Sequence, residues 1–171
     1  MREVGLILFW DPENSHYSMD SFEYDLWNLF TGYDTEPLFW GINNKESIEQ
    51  GTGFIVVKTG NGNCGVVMSG YLLEEHRFDV SGRRHCRSHY RTDSEVILAV
   101  MEMFHPDRSQ MISLEQLKEA FPHLPFDGSV KDLLLNQADS KKLGNLHESF
   151  HTANKDIFEP KAARRPVLPC P

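Results

Sequence analysis

Apolar positions in this chain fall into short blocks divided by polar turns. Val4 to Trp10 reads V-G-L-I-L-F-W and stops at Asp11-Pro12. Proline has no N–H to give a ladder and restricts the residue before it, so the run predicts a buried first strand that ends in a turn. From Ser18 to Phe30 the spacing changes: Met19, Phe22, Leu26, Leu29 and Phe30 recur at helical intervals. Ser18 is placed to cap the start and Gly32 to close the end. Glu36 to Ile42, with Phe39, Trp40 and Ile42, predicts a short strand. Asn43 to Gly51 is a polar turn with one apolar residue, Ile48.

Phe54 to Lys58 and Gly65 to Leu73 predict two further strands around Thr59-Gly60-Asn61-Gly62-Asn63, whose glycines and asparagines favour a hairpin. Gly70, inside the second of these, marks a bulge or a close backbone approach. Ser94 to Met101 predicts another strand, since Arg91 to Ile97 looks extended and His105-Pro106 ends it. Ser113 with Gln116 makes a capping box for a helix that closes at Phe121-Pro122. Asn136 to Phe150 predicts a last helix, with Leu143, Leu146 and Phe150 on one face. A strand, a helix, several strands with a hairpin and two short helices predict an α+β domain on an antiparallel, barrel-like sheet.

The 171 residues, 40% hydrophobic and 25% charged, exclude collagen-like and disordered readings. They fit one domain over residues 1–150 and a tail over 151–171, where Lys, Arg and Pro dominate and no period survives. No apolar run approaches the ~20 residues of a membrane-spanning helix. The first residues lack the pattern of a secretory signal. Three scattered cysteines (Cys64, Cys86, Cys170) make a poor disulfide framework. The expectation is a cytoplasmic protein with no membrane partner.

The net charge of -8 opposes a sequence-blind coat for nucleic acid. It is unevenly spread. Between His76 and Arg91 stand Arg77, Arg83, Arg84, Arg87 and Arg91 against the single acid Asp79, a local +4 that leaves -12 for the rest.

Several familiar catalytic signatures are missing: the G-x-S-x-G elbow, the G-x-x-x-x-G-K-[ST] phosphate loop and G-x-G-x-x-G. Cys86 and His89, with His76 and Cys64, offer zinc-ligand types. Structural zinc sites usually present two close pairs, and only one is present, so the expectation is no metal and no cofactor. Cys86 among Arg84, Arg87, His85 and His89 would favour thiolate, which keeps a small cysteine- or histidine-dependent enzyme as an alternative. Trp10 and Trp40 adjoin turns, where flat aromatic faces can hold a planar base; the competing reading is ordinary core.

Phe9-Trp10-x-Pro12, Trp40-x-Ile42, Ile48-x-x-Gly51, Phe54-Ile55-Val56-Val57 and Gly65-Val66-Val67-Met68-Ser69-Gly70 together resemble the EVE branch of the PUA-like superfamily. Leu114-x-x-Leu117, Phe121-Pro122, Phe126-Asp127-Gly128, Leu134-Leu135 and Leu143 resemble the C-terminal part of an uncharacterised bacterial family that shares this core. The resemblance covers residues 4 to 150. The chain departs from the pattern at Asp11, where Asn is usual before Pro, at Thr52, where Asp is usual after Gly51, and at Phe126, where Trp is usual. The resemblance implies a small, mostly antiparallel twisted barrel with flanking helices that recognises a modified or flipped base in DNA or RNA, without chemistry of its own. It implies Trp10, Asn14, Trp40 and Ser69 as base-pocket residues and Arg83, Arg84 and Arg87 as phosphate contacts. A scaffold for protein partners is the third reading.

Overall fold

A computed structural model describes residues 4–32, 38–43, 48–73, 95–107 and 111–154. In chain order the elements are β1 (Val4–Trp10), α1 (Met19–Thr31), β2 (Leu38–Gly41), β3 (Gly53–Lys58), β4 (Gly65–Leu72), β5 (Glu95–Met103), α2 (Leu114–Ala120), β6 (Asp132–Leu134) and α3 (Gln137–Ala153). The predicted caps form. Ser18 accepts from the Ser21 amide at the start of α1, and Gly32 ends that helix in the left-handed region at φ 76°. Ser113 and Gln116 exchange both bonds of the capping box. No helix among the described residues is long and apolar enough to cross a membrane.

The six strands form one sheet in the order β2-β5-β4-β3-β1-β6. The turn at residues 59–63 joins antiparallel β3 and β4, as the sequence predicts. Every pair is antiparallel except β1 with β3, which run parallel from Val4 opposite Gly53 to Trp10 opposite Lys58. α1 and β2 lie between these two strands in sequence, so the chain crosses over before β3 returns beside β1. Such inner strands are covered on both faces and read as unbroken apolar runs, as both do here.

Among the described residues the sheet curls without closing through strand pairing. Its two end strands, β2 and β6, meet where the Asn43 amide donates to the Asp132 carboxylate (2.9 Å). One face packs Leu6, Leu8, Trp10, Phe54, Val56 and Leu98 against Phe22 of α1. The other packs Ile7, Ile55, Val57 and Val66 against Leu117 of α2 and Leu143 of α3. Ser69/Gly70 is a register shift between β4 and β5, and a Cβ on Gly70 would lie 2.0 Å from the Ala99 carbonyl oxygen. Both readings of Gly70 therefore hold: the strand is irregular there, and the neighbouring backbone comes close.

Candidate functional site

Two groups of chemistry-bearing side chains stand out, one on each face of the sheet. The first grows from the turn after β1. Asp11 accepts from the Glu13 amide (3.1 Å) and from the Asn14 carboxamide (2.7 Å), which winds the chain back toward the sheet. The loop then delivers Tyr17 between two tryptophans. The Tyr17 ring lies 5.6 Å from Trp10, tilted, and 6.1 Å from Trp40, edge-on. Trp10 donates its indole N–H to the Tyr17 carbonyl (2.8 Å) and stacks on Phe22 at 5.1 Å. It is only 1% exposed, so both of its ring faces are spent on the core. Tyr17 and Trp40 are half-buried and form the outer part of the row. The Tyr17 hydroxyl donates to Asp25 (2.8 Å). Burial, with the Asp25 carboxylate beside it, pushes the phenol well above its ordinary value, so it remains a neutral donor.

Trp40 stands opposite Val96 in the β2–β5 ladder, and Gly41 stands opposite Glu95, the first residue of β5. The Leu73 amide, just past β4, donates to the Ile97 carbonyl (2.9 Å). The connection over residues 74–94 therefore leaves and rejoins the sheet within two positions of the residue that faces Trp40. Arg83, Arg84 and Arg87 belong to that connection and lie outside the described residues, as do Cys86, His76, His85 and His89. Asn14 is exposed on the loop between Trp10 and Tyr17. The structure thus joins Trp10 and Trp40 through Tyr17, a residue the sequence did not single out.

Ser69 is elsewhere. Its hydroxyl donates to Glu102 Oε2 (2.6 Å) on the face that carries α3. β4 carries an extra residue, Val67, against Val56 and Val57 of β3, so Val67 and Met68 both join the Phe22 face. The alternation is reset before Ser69, which is why counting along the strand does not place it.

That second face holds a cluster with no counterpart in the sequence-based expectations. Glu102 projects from β5, and His147 and His151 lie one turn apart on α3. His151 Nε2 lies 3.2 Å from both Glu102 oxygens, and His147 Nε2 lies 3.4 Å from Oε2. The two imidazoles tilt against each other at 4.5 Å. Burial is the main cause that pushes the His147 imidazole below its ordinary value, only partly countered by Glu102. A local signal was available. Residues 147–151 read His-Glu-Ser-Phe-His, which has H-E-x-x-H spacing on a helix. Only the fold, however, brings Glu102 to it. Cys64, by contrast, donates its thiol to the Gly60 and Gly62 carbonyls inside the hairpin.

No protein-family model matches the chain, and no curated protein matches it in sequence. Among solved structures, a hypothetical protein from Leishmania major superposes with a TM-score of 0.52 at 8% identity, over 86% of this chain and 97% of that one. The DUF55 domain of human thymocyte nuclear protein 1 superposes with a TM-score of 0.46 at 11% identity, over 84% and 98%. Human THYN1 in complex with 5-methylcytosine-containing DNA gives 0.43 at 12%, over 84% and 96%. At 8% identity, what this chain shares with the Leishmania protein is its fold.

Proposed function

We propose that this chain is a nucleic-acid-binding module that takes up a modified or flipped base, in DNA or RNA, where Tyr17 and Trp40 meet. The reading is supported above all by the β2–β5 register. It sets a half-buried tryptophan close to Leu73 and Glu95, the described residues that flank the segment whose sequence is the most basic of the chain. An aromatic edge offers stacking to a base that has left its helix, and the arginines of that segment are proposed to offer its phosphates charge. In this reading Trp40 stacks on the base and Asn14 faces its polar edge. Trp10 backs the row from the core, and Arg83, Arg84 and Arg87 hold the phosphates. Ser69, engaged with Glu102 on the other face, has no part in it. The resemblance to EVE-type domains points the same way.

The test is a tryptophan-fluorescence titration with short oligonucleotides carrying a modified cytosine, a modified adenine or neither. Preferential binding of one modified form is expected, and equal, weak signals for all three would overturn the reading. Trp40→Ala should weaken binding by ~1–3 kcal/mol, the usual worth of one stacked base, while the chain stays folded. Arg84→Ala should weaken all sequences alike and flatten the slope of log affinity against log salt by about one unit. A slope unmoved by this change would remove Arg84 from the interface.

A scaffold role also has an observation behind it, because α1 turns Tyr24, Trp27 and Phe30 outward at 66%, 57% and 89% exposure. If that face serves a protein partner, replacing Trp27 will leave oligonucleotide binding unchanged.

A further inference from the structure

His147 is 1% exposed, yet neither of its ring nitrogens has a hydrogen-bond partner among the described residues. Buried polar atoms are nearly always satisfied, because leaving one unpaired costs its full desolvation. Glu102 Oε2 is close, 3.4 Å from His147 Nε2, but makes no aligned hydrogen bond with it. One ligand atom from each of Glu102, His147 and His151 lies within 4.8 Å of the other two. A tetrahedral ion with donors at ~2.0–2.1 Å holds them roughly 3.3 Å apart. The histidine nitrogens lie 3.2 and 3.4 Å from the carboxylate, close to that spacing.

We propose that Glu102, His147 and His151 bind one divalent cation of the zinc class, on the α3 face of the sheet. Two imidazoles and a carboxylate are a borderline donor set that suits such an ion and leaves a fourth position for water. Glu102 and His151 are 31% and 23% exposed in their side chains, so the site is open on its outer side. Ser69 donates to the Glu102 carboxylate, as residues that fix a ligating carboxylate commonly do. Phe104 meets the His151 ring edge-on at 6.1 Å and forms an apolar wall. Glu148, the acid of the H-E-x-x-H run, is exposed rather than turned to the cluster, so the ion ties α3 to β5 without a general base beside it.

The full chain, stripped with a chelator and dialysed, is titrated with Zn²⁺ by calorimetry and with Co²⁺ by visible absorption. One equivalent of each should bind, with a four- or five-coordinate cobalt spectrum and a rise in thermal midpoint. Glu102→Gln and His151→Gln keep side-chain bulk and lie toward the open side, so they test the site even if changes at His147 prevent folding. Each should weaken binding at least about tenfold and abolish the cobalt spectrum; Ser69→Ala should weaken it roughly tenfold. His123→Gln, which touches the separate Asp139 pair, should change nothing. No binding by the folded chain, or the same affinity and spectrum in Glu102→Gln and His151→Gln, would overturn the proposal.

Discussion

Trp10→Ala is expected to lower folding stability by ~3–5 kcal/mol, the range for emptying a large aromatic site in a core. The residue ends β1, but Phe22 stacks on the indole and Tyr17 tilts against it. The substitution removes both ring contacts and the indole bond to the Tyr17 carbonyl. Urea unfolding at constant slope should show the loss, and in a domain of this size it corresponds to a fall of roughly 6–20 °C in thermal midpoint. Trp27→Ala is the internal comparison, since that ring is 57% exposed, and it should cost less than about 1 kcal/mol. Equal effects of the two changes would mean that Trp10 is not the core residue its surroundings make it. Loss of Trp10 should also weaken oligonucleotide binding only as far as it unfolds the chain, in contrast to Trp40.

Gly70→Ala should be almost as damaging, although it adds one methyl group. The new Cβ would lie 2.0 Å from the Ala99 oxygen and 3.1 Å from the Phe54 ring. The first obstacle is backbone, so β4 and β5 must separate where their register already shifts. The expected loss is about 3 kcal/mol, the upper end for overpacking, or roughly 6–12 °C. Gly41→Ala, with open space around its Cβ, should cost far less. A Gly70→Ala chain that melts with the parent would show that the two strands can part there freely.

Most of the elements could be read locally because their causes are local. Ser18, Gly32, Ser113 and Gln116 act on groups three or four residues away, so the caps of α1 and α2 were legible. The hairpin was legible for the same reason. β6 was not, because three residues are too few to show a strand period, and it forms only because β1 offers Leu6 to Leu8 a partner. The parallel pairing of β1 with β3 left a trace in two unalternating apolar runs, which fit an antiparallel core strand equally well. The candidate sites divide in the same way. Trp10 and Trp40 could be picked out as aromatic residues beside turns, but their unequal burial depends on where Tyr17 and Phe22 fold over them. The two histidines one turn apart were visible in the chain, whereas Glu102, forty-five residues earlier than His147, reaches them only through the β4–β5 bulge and the docking of α3.

The ends of the sheet carry a consequence for crowded solutions. An unpaired strand edge is a template on which a second molecule can add its own strand, and long flat edges seed aggregates. Here the edges are β2, four residues long, and β6, three residues long, while the inner strands run from six to nine. A visiting strand would find too short a ladder to hold it, and the Asn43–Asp132 contact has already drawn the two edges toward each other. The curl thus gives the molecule a barrier to self-templated stacking without the strand pairing that would seal the sheet.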